Sequence, residues 1–343
     1  MRTFAGRQGD NVKLLLVTGA PRSGTTPVGA ALALAPSTRM IYEPMGPTGD
    51  TRIPVRFAIP GQEGLPLDVF HDFLDDLRDL QLRLGSQQRK SYAKMSTLQR
   101  MLRSVVGSRT RISVLVAKFA PDFDTLVWKD PMAAFAVPAV LSHGIPTVLC
   151  IRSPFAHAAS FKRKGWTVDI ASIYPNFRDC YGALPEIETL LGARVKLDSV
   201  TSASILWHMV YLLAYHTARG RYGTFNAPLV LISSTELEAN EMQVYRDMYE
   251  SLGLAFEGRP RRRLEARARH AVEDSGKVIH THDWSRSVAA TNSYWRQVLD
   301  DDEVSFIQRL NGWVFEEIEV ISAAGRHSAP PLAHELPRSG GLT

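Results

Sequence analysis

Five short apolar runs recur along the chain, and each is closed by polar or turn-forming residues. They are Lys13–Thr18 (KLLLVT), Thr38–Tyr42 (TRMIY), 125–128 (TLVW), Thr147–Ile151 (TVLCI) and 229–232 (LVLI). Short continuous runs of this kind predict strands buried on both faces. Between and after them lie segments that read as helices: 28–35, 67–84 with apolar residues at helical spacing, 133–142, 155–164, 202–219, 241–252 and 301–321. Strands alternating with helices predict an α/β protein: three layers, with a central parallel sheet flanked by helices. Residues 44–66 are rich in Gly and Pro and read as loop, and no internal repeat is visible. The expected organisation is one domain over 1–322. It carries an insertion over about 44–118 that covers the substrate. A Pro/Gly/Ser-rich tail over 323–343 is predicted to be disordered.

A doubly wound sheet of this kind places its ligand at the carboxyl ends of the strands. Those ends are followed here by a loop containing Arg22, by Glu43, by Lys129, by Arg152 and by Ser233 to Glu236. Cationic, acidic and hydroxyl side chains therefore meet at one edge.

The first strand, the turn Gly19-Ala-Pro-Arg-Ser-Gly24 and the following helix form a phosphate-binding loop. Glycine tolerates the backbone angles such a turn needs, and the helix start presents free N–H groups to an anion. The turn nearly fits the nucleotide-triphosphatase pattern G-x-x-x-x-G-K-[ST]. Gly19, Gly24 and Thr26 match, but Thr25 stands in the lysine position and the loop's cation is Arg22. That lysine is the group that reaches a triphosphate's terminal phosphates. Its replacement points to a different anion.

Pro21-Arg22-Ser23-Gly24-Thr25-Thr26 resembles the 5′-phosphosulfate loop of the sulfotransferase superfamily, a P-loop fold. Its members take a sulfuryl group from 3′-phosphoadenosine 5′-phosphosulfate (PAPS). Residues 151–166, IRSPFAHAASFKRKGW, resemble the family's 3′-phosphate motif, with Arg152 and Ser160 eight residues apart. Residues 228–254 resemble its later strand–helix unit, although Ser234-Thr-Glu-Leu replaces a tyrosine-containing motif. The likeness is closer to bacterial and carbohydrate-type sulfotransferases than to the cytosolic type.

The resemblance implies that Arg22, Ser23, Gly24, Thr25 and Thr26 hold the 5′ side of PAPS. It implies Arg152 and Ser160 at the 3′-phosphate, with Arg286 in the run HTHDWSR (280–286) as a further candidate there. Lys129, in Lys-Asp-Pro, resembles the lysine of a Lys-Thr-Pro motif, and Glu43 resembles a base glutamate. Glu43, Arg22 and Lys129 are thus the candidate catalytic residues. Asp130 reads as a turn or cap residue before Pro131, and His208 as a core histidine. The resemblance implies no metal, because a sulfuryl group carries less charge than a phosphoryl group, and no Cys/His spacing suggests zinc.

The chain has 343 residues, 45% of them hydrophobic, and a formal net charge of +5. A basic balance favours anionic ligands without naming nucleic acid, and none is expected as a partner. The arginine-rich run 259–269 lacks the interleaved aromatics of a single-strand groove. Nine cations without an acid fill 83–118. A solvated face and a cover over an anionic ligand both remain open there. Two cysteines suggest a reducing compartment. A polar start and the lack of any run of 18–20 apolar residues predict a cytoplasmic protein. Peripheral membrane contact is left open. The acceptor could be a small molecule, a lipid or a glycan. Competing readings are a P-loop kinase or NTPase using ATP–Mg²⁺ and a non-catalytic nucleotide-binding protein.

Overall fold

The computed structural model describes residues 12–85, 108–120, 122–193, 197–273 and 292–325. Five parallel strands form one sheet in the order β2-β3-β1-β4-β5: β1 Lys13–Thr18, β2 Thr38–Tyr42, β3 Thr125–Lys129, β4 Thr147–Ile151 and β5 Leu229–Ser233. The alternation of side chains along each strand builds two separate cores. Leu14, Leu16, Leu126, Trp128, Leu149 and Ile151 face one layer of helices. Leu15, Val17, Val127, Val148, Cys150 and Ile232 face the other. Three layers result, as the apolar runs predict.

The second core is closed by α1 (Thr25–Leu32) and α9 (Ser234–Ser251). The first is closed by α2 (Leu67–Arg78), α8 (Ser199–Ala218) and α11 (Asp301–Gly325). Helix α8 is buried along nearly its whole length, which explains why its sequence is apolar all round rather than amphipathic. Helix α11 runs to Gly325, slightly past the expected start of the tail. The rest of the tail, 326–343, lies outside the described residues.

Several elements are not evident in the apolar pattern. Helices α3 (Arg109–Phe119), α6 (Ile170–Tyr181) and α7 (Pro185–Gly192) are regular. The segment 133–142 divides into a 3-10 turn, Pro131–Ala136, and α4, Val137–Ser142. Helix α9 starts directly at Ser234 and bends at Asn240, which has non-helical angles. The arginine-rich run forms α10, Arg259–Glu273, where Arg261 pairs with Glu257 and Glu265 and Arg267 pairs with Glu241. In the basic stretch, 86–107 lies outside the described residues. Arg109, Arg111 and Lys118 are exposed on α3.

The segment 44–85, where the insertion is expected to begin, is packed into the first core through Ile53, Phe57, Ile59, Leu65, Phe70 and Phe73. Its polar anchor is Asp50, 2% exposed. The carboxylate accepts from Nε and Nη2 of Arg52 at 2.9 and 2.8 Å and from the backbone N–H of Arg83 at 3.0 Å. Arg52 also reaches Asp76 of α2 at 2.9 Å. Burial opposes ionisation of Asp50, but the hydrogen bonds and charge of Arg52 and the N–H groups outweigh it and lower its pKa. A depressed acid contributes stability that is present above its unfolded value and lost as pH falls through its folded one. Asp50→Asn is expected to cost about 1.5–3 kcal/mol at neutral pH, the range for hydrogen bonds to charged groups. In urea melts the gap from wild type should close in acid, and a gap that stays constant with pH would refute this account.

Candidate functional site

The turn after β1 is shaped by two glycines. Gly19 has φ +140°, and a Cβ there would lie 2.4 Å from the carbonyl oxygen of Cys150 on β4. Any side chain would push the turn off the sheet. Gly24 has φ +94° and caps α1, and among the described residues a Cβ on it would meet nothing within 4 Å. The cradle in front of the helix start is therefore open. Between them Arg22 also takes a left-handed backbone, φ 76°. That conformation is uncommon for a side chain of this size and costs on the order of 1 kcal/mol or more.

Arg22 lands on the next strand's exit. Its Nε donates to Ser160 Oγ at 3.3 Å, and Arg152 Nη1 donates to the Arg22 carbonyl at 3.0 Å. The two groups separated in the sequence, the loop and the Arg152/Ser160 pair, thus form one cluster. Arg152 is 9% exposed and Ser160 1%. Burial, and then the charges of Arg22 and Arg163, lower the pKa of Arg152, while Tyr294 works the other way. Ser160 lies on α5 (Pro154–Lys164), and the strand exit before α5 is held from below by α8. There Trp207 Nε1 donates to the Arg152 carbonyl at 2.8 Å, and the Tyr211 hydroxyl donates to the Cys150 carbonyl at 2.7 Å.

On the other side of β1 the chemistry changes. Lys129, 3% exposed, ends β3 and places Nζ 2.5 Å from Glu43 Oε1. Glu43 leaves β2 with φ 46° and donates its N–H to the Lys129 carbonyl at 2.7 Å. Helix α1 passes close above: a Cβ at Gly29 would lie 3.2 Å from Lys129 Cγ. Lysine and carboxylate therefore stand at adjacent strand ends, beside the loop. Ser23 and Thr25 are buried in the turn.

Asp130 serves as a cap, as its place before Pro131 predicts. It is fully buried and accepts from Met132 N–H at 2.9 Å, from Met45 N–H at 2.6 Å and from Trp128 Nε1 at 3.4 Å. It fixes the loop that carries Glu43. His208 is likewise a core residue, with Nδ1 3.2 Å from Asn311 Oδ1. Ser233 and Glu236, at the end of β5, bond instead to Glu319 and Ser322 of α11. Arg286 lies outside the described residues. Among the described residues, no three His, Cys, Asp or Glu side chains are grouped as metal ligands are.

Sequence reasoning overlooked three neighbours of the cluster. His157 lies fully buried beneath the loop. Burial, then Arg152 and Arg22, hold its pKa down to about 3 against the nearby Pro21 carbonyl. It is thus a neutral support. Arg163 and Tyr294 are the other two, with the guanidinium carbons of Arg163 and Arg152 at 4.9 and 5.8 Å from the Tyr294 ring centre. The helical spacing of Ser160 and Arg163 could have signalled Arg163, but nothing local marks Tyr294.

No family model matches the chain, and no curated protein matches it. Among solved structures it is similar to the sulfotransferase STF9 from Mycobacterium avium, at 15% identity and TM-score 0.38, over 89% of this chain and 76% of that one. It is also similar to a sulfotransferase domain from the curacin biosynthetic pathway, at 13% identity and TM-score 0.40, over 87% and 96%. A sulfotransferase domain from the Synechococcus PCC 7002 olefin synthase gives 14% identity and TM-score 0.41, over 90% and 98%. Identity this low says nothing of substrate. Among the described residues no helix is long and apolar enough to cross a membrane.

Burial, followed by the charge of Glu43, raises the pKa of Asp130 to about 7, against the Met45 and Met132 N–H groups and Lys129. A raised acid binds its proton more tightly when folded, so its contribution to stability falls as pH rises from its unfolded value near 3.8 to about 7. Asp130→Asn carries no such proton. The stability of wild type relative to this variant is expected to decline across that window and level off above it. Parallel stability curves from pH 4 to 8 would contradict the assignment.

Proposed function

We propose that this chain is a sulfotransferase that moves the sulfuryl group of PAPS to a hydroxyl or amine of a small-molecule, lipid or glycan acceptor. One observation carries the reading. Two unlike groups flank β1 at the same sheet edge: guanidiniums and Ser160 around an open glycine cradle, and the Lys129–Glu43 pair. Such an edge suits a donor with two anionic ends and an acceptor that must lose a proton.

The residues fit the donor. The open space at Gly24, the N–H groups at the start of α1 and Arg22 suit its 5′ side, with Ser23, Thr25 and Thr26 in the same turn. Arg152 and Ser160 suit its 3′-phosphate, since a guanidinium fork matches phosphate oxygens. Arg286 is proposed as a further group there. PAPS would supply an activated sulfuryl group, transferred by in-line displacement. The remaining work is positioning and charge stabilisation. Arg22 and Lys129 stand where they can neutralise charge growing on the departing oxygen. Glu43 takes the acceptor's proton as its oxygen or nitrogen attacks. The residues packed as an insertion, 44–85 and 108–118, would shape the acceptor side. We place the protein in the cytoplasm, a reading supported by two free cysteines.

A kinase or NTPase would require a different use of the same edge. Thr25 stands where its lysine belongs, and the Asp130 carboxylate is already engaged by three N–H donors.

Thermal melts with PAP, the product nucleotide, with ATP–Mg²⁺ and with an oligonucleotide separate these readings, because only a bound ligand raises the midpoint. PAP should stabilise wild type, and Arg152→Ala should weaken PAP binding by about 1.5–3 kcal/mol. Stabilisation by ATP–Mg²⁺ alone would transfer the site to the kinase reading.

Glu43→Gln keeps the side-chain shape and removes the base. Turnover, followed by mass spectrometry as the gain of one sulfo group on candidate acceptors, should fall about 10²–10⁴-fold, with the PAP-induced shift retained. Full turnover in this variant would move the base elsewhere.

A further inference from the structure

The last turn of α5 carries three cations, Lys162, Arg163 and Lys164, ahead of the cap Gly165. Cations there complement the helix dipole, and pointing into solvent would satisfy that role. Lys162 is tied to Glu303 at 2.7 Å. Arg163, although exposed, lies over the Tyr294 ring, and among the described residues no carboxylate pairs with it. Ala156, Ser160 and Arg163 follow at spacings of four and three, so they share one stripe of α5. Tyr294 is anchored to that stripe, with its hydroxyl donating to the Ala156 carbonyl at 3.2 Å. Its neighbour Trp295 stacks on Phe155 at 4.9 Å.

One tyrosine ring thus gathers two guanidiniums, Arg163 and Arg152, each within about 6 Å, the range of a cation–π contact. Arg22 is close enough to add a third like charge to Arg152. An anion of more than one charge complements such a group of guanidiniums better than a singly charged one. A terminal phosphate monoester carries about −1.5 to −2 at neutral pH, whereas a diester carries one charge.

We propose that Arg163, held by Tyr294, is a specificity residue that clamps the same terminal phosphate as Arg152 and Ser160, so that the site selects nucleotides bearing a phosphate monoester on the ribose. This rests on the sulfotransferase reading only in naming PAP as the nucleotide. The ring fixes the guanidinium before the ligand arrives, so less side-chain entropy is lost on binding.

Isothermal titration of wild type, Arg163→Ala, Arg163→Lys and Tyr294→Leu with PAP and with 5′-AMP, which lacks the 3′-phosphate, tests it. Arg163 is exposed at a helix end, so its variants should fold; circular dichroism checks this. Arg163→Ala should weaken PAP about tenfold and leave 5′-AMP within about twofold, as a contact to the missing phosphate requires. Arg163→Lys should fall between, because it keeps the charge without the fork. Tyr294→Leu should shift PAP the same way by a smaller factor. Unchanged PAP binding in Arg163→Ala, or equal weakening of both nucleotides, would overturn the inference and leave the sulfotransferase reading standing. A wild type that discriminates PAP from 5′-AMP through Arg163 yet transfers no sulfuryl group would do the reverse. A wild type that binds no PAP overturns both.

Discussion

The distance between two backbones governs this structure. Where β1 ends, its chain crosses the carbonyl of Cys150 so closely that only a glycine passes. That approach brings the turn down onto the exit of β4 and sends the Arg22 side chain to Ser160, 138 positions away. With a wider gap the loop and the Arg152/Ser160 pair would be two separate polar patches. With this gap they form one cluster, although like charges gather there.

The same edge divides by sign. Along β2-β3-β1-β4-β5 the strand exits supply Glu43, Lys129, the glycine turn, Arg152 and Ser233. Acid and base sit side by side on the β2–β3 flank, and cations dominate the β1–β4 flank. A parallel sheet makes such a division easy, because every strand delivers its exit residue to the same edge while register fixes the spacing. Val17 opposes Lys129, and Tyr42 opposes Lys129 from the other side, so Glu43 and the turn bracket the lysine.

The sheet was legible because buried parallel strands are apolar without interruption, and the polar residues at their ends followed from that. Arg22, Glu43, Lys129, Arg152 and Ser160 all lie at the edge where strand ends place them. What could not be read depends on contacts between distant residues. The segment 44–66 looks like a Gly/Pro-rich loop, yet it is fixed by Asp50 reaching the N–H of Arg83, 33 positions on. Tyr294 belongs to the cluster only because its hydroxyl finds Ala156, 138 positions earlier. Helix α3 lacks a strong apolar stripe and is placed by Ser113, which accepts the N–H of Tyr42 at 3.0 Å. None of these pairings leaves a periodic trace.

Helix α8 has a consequence of its own. Trp207 and Tyr211, one helical turn apart, each donate to a carbonyl at the exit of β4, so the height at which Arg152 emerges is set by two aromatic side chains in an inner layer. The flank with Glu43 hangs from different fixtures, Asp50 and Asp130, the latter buried just past the end of β3. The two flanks therefore hang from different side chains and meet at Asp130, which donates its N–H to the Val17 carbonyl and accepts from the Thr18 hydroxyl at its own carbonyl. A change in the loops around Glu43 would leave the two donors beneath Arg152 in place, because Trp207 and Tyr211 reach the exit of β4 from an inner layer.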